Sequence, residues 1–324
     1  MRENSIFAGL LSDAETVTLF APEAMLADWL AFQRALIIAQ GSDPAALTGF
    51  SPDIAGLAAA TMKDGVPIPA WLTALKKHAP ILAPLLHLNA TSQDLTDTAM
   101  ILAFKRANII FDERLDVVAA ALRALDGTPK LMARTRMQPA LEITVGDRIT
   151  RWLSALEDIG TRLAALRPGL EVLQYGGAVG LTPHDAVATA VAAELGLKPA
   201  LHWHTTRNRL ADYAGWLSLA TGALGKIGLD LALMAQMGEV ALTGGTSSAM
   251  PHKNNPVLAE VLQALARKNA CDLSAVHLAL LAEQERSGAA MTLEWLVLPE
   301  MVVTTGTALA HACALIKSIS SLGG

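Results

Sequence analysis

Between residues 94 and 126 the chain contains neither glycine nor proline, and apolar side chains recur at helical spacing through AMILAFKRANIIFDERLDVVAAALRAL. At 1.5 Å per residue such a helix runs roughly 48 Å. A small domain cannot cover a rod of that length, so the rest of the sequence must supply partners of similar length. Residues 147–167, 209–242, 256–287 and 292–318 carry the same periodicity, and Pro256 suits a first helical turn, where its missing N–H costs nothing. Five long helices joined by shorter loops predict a helix bundle over 91–324. Aromatic residues make up only 4% of the 324 residues while Ala and Leu are plentiful, and strands draw on aromatic and β-branched side chains. The expected fold class is all-α.

Residues 1–90 read differently. Pro22, Pro44, Pro52, Pro67, Pro69, Pro80 and Pro84 interrupt them, which predicts a smaller N-terminal domain of short helices and a boundary near residue 90. Cys271 and Cys313 cannot make a disulfide framework. Both fall in apolar helical pattern and are expected to be buried free thiols, in keeping with a reducing cytoplasm. The opening stretch MRENSIFAGLLSDAETV lacks the layout of a signal peptide. The uncharged run 301–316 is shorter than a bilayer needs and holds three threonines and His311, so it is expected to be a buried helix and no membrane partner is expected. A net charge of −5 likewise disfavours nucleic acid as a partner. An anionic ligand must then be drawn by a local cluster of arginine and lysine.

Chemistry is expected where polar residues interrupt this apolar chain. The stretch Gly244-Gly245-Thr246-Ser247-Ser248-Ala249-Met250-Pro251-His252-Lys253-Asn254-Asn255-Pro256 lies between two predicted long helices. Its glycines permit backbone conformations closed to other residues, and successive N–H groups there can form an anion-binding nest. A phosphate loop is excluded by the absent G-x-x-x-x-G-K-[ST] spacing, and no strand is predicted before it. A generic Gly/Ser/Asn loop would ordinarily be a polar connection and nothing more.

GTSSAMPHKNNP closely resembles the G-S-S-x-M-P-x-K-x-N-P signature of the fumarase/aspartase superfamily. Further matches follow in the expected order. His87-Leu88-Asn89-Ala90-Thr91-Ser92-Gln93-Asp94 is similar to that superfamily's first signature segment. Arg134-Thr135-Arg136-Met137-Gln138, with Thr144 and Gly146, is similar to its second. Trp203-His204-Thr205-x-Arg207-x-Arg209, Leu224-Gly225-Lys226-Ile227, Glu285-Arg286-Ser287-Gly288 and Glu294-Trp295 extend the resemblance over nearly the whole chain.

The resemblance implies a long five-helix bundle with a small helical N-terminal domain and, after Gly324, the absence of the third domain that many members carry. It also implies a reaction in which a loop serine, here Ser247, exchanges a proton with the carbon beside a substrate carboxylate. That chemistry creates an enolate-like dianion and needs fixed positive charge and oriented N–H donors. A serine hydroxyl is a weak base unless its surroundings activate it, and Lys253 is the candidate helper. Lys253 and Asn255 match the substrate-binding Lys and Asn of the signature, and Thr91 and Ser92 match carboxylate-binding positions. Thr-Ser-Gln-Asp before a long helix also reads as an ordinary N-cap; both roles are compatible, since a helix N-terminus attracts anions. Ser248 competes with Ser247 for the proton. His87, Arg134, Gln138 and Arg286 complete the candidate substrate contacts. His202 and His204 form H-x-H, but no Cys or carboxylate stands at ligand spacing, so no metal or other cofactor is expected.

The second segment discriminates among members. Adenylosuccinate lyase-like sequences usually read Arg-Thr-His there, whereas this chain has Arg136. An arginine cannot give up its proton at working pH but can grip a carboxylate with two hydrogen bonds. That suits a leaving group, read backwards, that is itself a carboxylate needing no acid. The resemblance is therefore to the bacterial 3-carboxy-cis,cis-muconate cycloisomerases of the β-ketoadipate route for aromatic catabolism. A small tricarboxylate substrate is implied, with a cytoplasmic homotetramer that shares its sites between subunits. Other superfamily lyases of the adenylosuccinate or argininosuccinate type, and a non-catalytic structural relative, are the competing readings. Gln33 and Asn208 depart from the usual Glu and Asp of the pattern.

Overall fold

The computed structural model describes residues 5–181, 186–246, 249–250 and 253–323. Two short helices, α1 (Ala8–Leu11) and α2 (Ala14–Thr18), precede α3 (Pro22–Ala39), α4 (Ile54–Asp64) and α5 (Ile68–His78). Five rods follow: α6 (Ser92–Arg123), α7 (Val145–Leu170), α9 (Asn208–Gln236), α10 (Val257–Leu278) and α11 (Gly288–Lys317), with the short α8 (Ala186–Glu194) in the crossover between α7 and α9. The rods α6, α9 and α11 run one way and α7 and α10 the other, with α9 packed on α7, α10 and α11, and α6 on α7 and α11. This is the expected all-α bundle.

Capping chemistry sets several starts. Thr144 and Asp147 close a reciprocal box at α7: the Asp147 carboxylate accepts the Thr144 N–H at 2.8 Å, and the Thr144 hydroxyl accepts the Asp147 N–H at 3.1 Å. Ser287 accepts the Ala290 N–H at the head of α11. Two predicted helices end early. The stretch 209–242 stops at Gln236, because Gly238 turns left-handed and Val240–Leu242 leaves as strand β3, paired antiparallel with β4 (Ile319–Leu322). The stretch 256–287 stops at Leu278. A strand thus does precede the Gly-rich loop, correcting the sequence reading, though the phosphate-loop spacing is still missing. Between α6 and α7 lies an unpredicted hairpin, β1 (Lys130–Thr135) and β2 (Gln138–Thr144), turning through Arg136 and Met137, both at positive φ. Its two-residue turn has the twist that favours hairpins.

Apolar burial is divided between two clusters. The larger fills the bundle, where Phe111 stacks on Trp216 at 5.7 Å and Trp216 on Tyr213 at 6.1 Å. The smaller unites α3 and α5 with Leu95, Ala99, Leu173, Tyr175 and α8, so the N-terminal helices draw part of their core from beyond residue 90. Of the two cysteines, Cys271 is exposed on this chain, contrary to expectation, and Cys313 is half-buried. The helix containing 301–316 and the preceding Asn208–Gln236 are long and apolar enough to span a bilayer, yet at least half of each apolar window is buried inside the bundle.

The heads of α6, α9 and α11 are tied by a buried ion triad. Arg207 donates to both oxygens of Asp97 at 2.7 and 2.9 Å and to both oxygens of Glu294. Burial alone would lower the arginine's pKa, but the two carboxylates outweigh it and hold the guanidinium above its usual range. Burial raises the pKa of Glu294, with Arg207 opposing and Asp97 reinforcing. We expect Asp97→Asn to destabilise the protein by about 3–5 kcal/mol, the scale for breaking a buried pair from one side. Glu294→Gln should cost less, because that carboxylate already carries the penalty of burial beside Asp97. Urea unfolding followed by near-ultraviolet dichroism checks the order, and equal or reversed costs would contradict it.

Candidate active site

At the head of α6 the backbone of Thr91 is extended and its N–H donates to the Asp94 carboxylate at 2.9 Å. Asp94 is fully buried and also accepts the Gly176 and Gly177 N–H groups at 3.0 Å and His204 Nε2 at 2.7 Å. These bonds draw the crossover loops against the first signature segment. His204 is thereby a structural partner of Asp94. Gln93 accepts from Arg286 Nε at 3.2 Å, and Arg286 also donates to the carbonyls of Gly177 and Ala178. No carboxylate partners Arg286 among the described residues, so its charge remains available to a ligand. Ser92 is the first residue of α6 and only half-buried, where helix N–H groups and dipole favour an anion. His87, Asn89 and Gln284 flank this region with positive φ, an uncommon state for non-glycine residues.

Thr91, Ser92, His87 and Arg286 thus share one end of the bundle. Arg134, Arg136, Gln138, Lys253 and Asn255 lie at the other. The hairpin brings Arg136 and Gln138 beside Arg134, which is held by Glu239 at 2.6 Å and by the Met132 carbonyl. The signature loop leaves β3 close by. Its neck is pinned where the Asn255 N–H donates to the Gly245 carbonyl at 2.7 Å and Thr246 bridges Asn254. Gly245 has φ 61°, and an added Cβ would sit 2.0 Å from the Asn255 carbonyl oxygen, so only glycine fits. Asn254 secures the neck to the Leu242 carbonyl. Lys253 is exposed, with no ion-pair partner among the described residues. Ser247, Ser248, Pro251 and His252 lie outside the described residues.

A cleft of about 690 Å³ opens beneath the hairpin, between α7 and α9, lined by Arg134, Arg136, Arg148, Arg151 and Lys226 against only Asp230 and Glu239. Glu239 is taken by Arg134 and Asp230 by Lys226 and the Trp152 indole. Arg136, Arg148 and Arg151 face the cleft with no ion pair among the described residues, although Asp147, one turn before Arg151, attracts its charge; among the lining residues five cations meet two carboxylates, in a chain of net charge −5. Such a concentration focuses field on an anionic ligand. Arg148 and Arg151 were missed in the sequence. Their signal was their place in the first two turns of a helix, where cations oppose the helix dipole.

Comparison with known proteins identifies the family of the chain. Residues 67–269 match a protein family described as Lyase. The chain is 40% identical over 250 residues to the 3-carboxy-cis,cis-muconate cycloisomerase of Pseudomonas aeruginosa, a match covering 72% of the chain and 54% of the relative. It is 35% identical over 295 residues to the nitrosuccinate lyase of Streptomyces davaonensis, covering 83% and 62%. The chain thus spans little more than half the length of these two relatives. The crystal structure of the 3-carboxy-cis,cis-muconate lactonizing enzyme from Pseudomonas putida superposes with a TM-score of 0.87 at 32% identity, covering 98% of this chain and 77% of that one. A bundle of this shape, signature segments at its two ends and a family match over most of its length lead to one assignment: the chain belongs to the lyase family of the fumarase/aspartase superfamily.

Proposed function

We propose that the chain is a 3-carboxy-cis,cis-muconate cycloisomerase that needs no metal or nucleotide. The observation that carries this reading is the cluster of guanidinium groups around Arg136 that line the cleft without an ion pair among the described residues, at the place where a leaving-group histidine would otherwise stand. The sequence has no histidine between His87 and His184, so the second segment holds no imidazole to protonate a leaving group. A carboxylate leaving group needs none. In the lactonising direction a substrate carboxylate oxygen adds to the neighbouring double bond, and the electrons move toward a second carboxylate. Ser247 then delivers a proton to the carbon beside it and is reprotonated from solvent, so one C–O and one C–H bond form, one C=C π bond is lost and one proton is taken up. The dianion formed on the way needs cations and N–H donors, which Arg136, Lys253, Asn255 and Arg286 supply, with Arg148 and Arg151 adding to the field. Thr91, Ser92 and Gln138 complete the grip on the substrate.

We infer further that the active unit is a cytoplasmic homotetramer with shared sites. One half of the proposed site lies at each end of rods roughly 48 Å long, since α6 has 32 residues, and one chain cannot close that gap. The rods also expose Ile109, Val117, Leu219, Leu229 and Leu296. The hairpin projects with Met137 and Leu141 exposed, although isolated hairpins are marginal in water. Partner subunits that bring the ends together and cover these faces explain both features.

Ultraviolet loss on mixing with 3-carboxymuconate tests the activity directly, and it should survive exhaustive chelation; an activity restored only by added divalent metal would refute the proposal. Ser247→Ala should lower turnover by at least about a hundredfold, the scale of a lost proton-transfer group, and Ser248→Ala by less. A reversed order reassigns the proton carrier.

Arg136→His should raise KM for the tricarboxylate by about tenfold, because an imidazole cannot reproduce a two-pronged grip, without any gain of adenylosuccinate cleavage. Unchanged KM removes Arg136 from the site.

Arg286→Ala and Ser247→Ala, each inactive alone, alter opposite ends of the bundle. Subunits unfolded and reassembled together should recover about a quarter of the wild-type activity, since random mixing leaves that share of two-chain sites intact. Mixtures that assemble yet stay inactive, or a monomer by light scattering, would show that the site lies within one chain.

A further inference from the structure

Gln33 of α3 is wholly buried and reaches the first signature segment across the interface between α3 and the loop before α6. Its Oε1 accepts the backbone N–H of His87 at 2.8 Å. A backbone N–H only donates, so this bond fixes which way the amide is turned. The amide nitrogen is then the group that faces Nδ1 of the His87 ring, at 3.5 Å. An amide nitrogen also only donates, so Nδ1 must be the unprotonated acceptor, and the proton of the neutral ring belongs on Nε2. An imidazolium would set two donors against each other.

The surroundings act in the same sense. Burial lowers the pKa of His87, Asp94 pulls it up and Lys76 pushes it down, and the net result lies below the ordinary histidine range. Nε2 has no hydrogen-bond partner among the described residues and is not one of the buried unpartnered atoms. It therefore opens outward, at the end of the bundle that carries Ser92 and Arg286.

We propose that Gln33 is a positioning residue that locks His87 as a neutral imidazole protonated at Nε2, making it a fixed hydrogen-bond donor to a substrate carboxylate oxygen. This rests on the reading of the first signature segment as part of the active site. So locked, His87 cannot serve as a base through Nε2. Its contribution to binding stays constant across neutral pH, unlike that of a histidine poised to titrate there.

Gln33→Glu is the discriminating variant. It keeps the size of the side chain and an acceptor for the His87 N–H, but it places an acceptor opposite Nδ1. The neutral ring should then carry its proton on Nδ1, leaving Nε2 an acceptor, and the neighbouring carboxylate should raise the ring's pKa by about one unit or more. Proton–carbon correlation spectra of isotope-labelled histidine, with His87 assigned by its loss in His87→Gln, read the lock whatever reaction is catalysed. Wild-type His87 should titrate below the ordinary histidine range, and the Gln33→Glu ring should titrate above the wild-type ring. In the same variant KM for 3-carboxymuconate should rise about tenfold between about pH 6 and pH 8.5, as an imidazolium donor gives way to an acceptor, while the wild-type KM stays flat over that window. His87→Gln, whose amide can donate, should stay within about threefold of the wild-type KM, and His87→Leu should lose about tenfold. Should Gln33→Glu fail to fold, the wild-type titration and the two His87 variants still decide the matter. A wild-type ring that titrates at or above the ordinary range overturns the proposal, as does an unmoved titration in Gln33→Glu or equal KM values for the Gln and Leu variants. Absence of 3-carboxymuconate turnover by the wild type would instead sink the substrate assignment, and the spectra would still settle the lock.

Discussion

A single buried carboxylate organises the end of the molecule where the first signature segment lies. Asp94 takes four donors from three separate stretches of chain: Thr91 just before it, Gly176 and Gly177 of the crossover, and His204 before α9. A fully desolvated carboxylate is tolerable only when its lone pairs are satisfied in this way. One helical turn further on, Asp97 does the same for Arg207 and Gln174. This explains why a rod with an apolar core face begins with buried Gln93, Asp94, Thr96, Asp97 and Thr98. The polar turn is the fastening for loops that have too little apolar surface to hold themselves in place.

The architecture was legible where periodicity runs long and is interrupted by strong punctuation. The five rods appear where they were read, two of them shorter at their C-terminal ends, and short helices follow several of the early prolines. The failures share a cause. Val240–Leu242 is apolar enough to continue a helical pattern, and only the left-handed turn at Gly238, together with pairing to Ile319–Leu322 some eighty residues on, makes it a strand. The hairpin around Arg136 has the unusual turn pair Arg-Met at positive φ in place of the Asn-Gly that would announce it. No local signal gives such a hairpin away.

For the candidate site, residue types were easier to read than relationships. That Lys253, Arg136 and Arg286 are candidate substrate contacts followed from the resemblance. That Glu239 occupies Arg134, while Arg148 and Arg151 line the same cleft, depends on contacts between elements far apart in sequence. The acidic balance of the chain as a whole hides a cleft of the opposite sign, because net charge averages over surfaces that a ligand meets one at a time.

The uninterrupted α6 also acts as a ruler. Inserting one residue in it would turn everything beyond by about 100° and advance it by about 1.5 Å. The polar turn at one end would then no longer face its loops while the hairpin at the other kept its place. Such a change cannot be absorbed gradually, because a helix has no slack to distribute. The loops at the two ends are where a change of length leaves this registration intact. The rods behave as a gauge that sets the distance between the two ends of the bundle: their surfaces can be rewritten residue by residue, but a change of length by one residue breaks the registration of both ends.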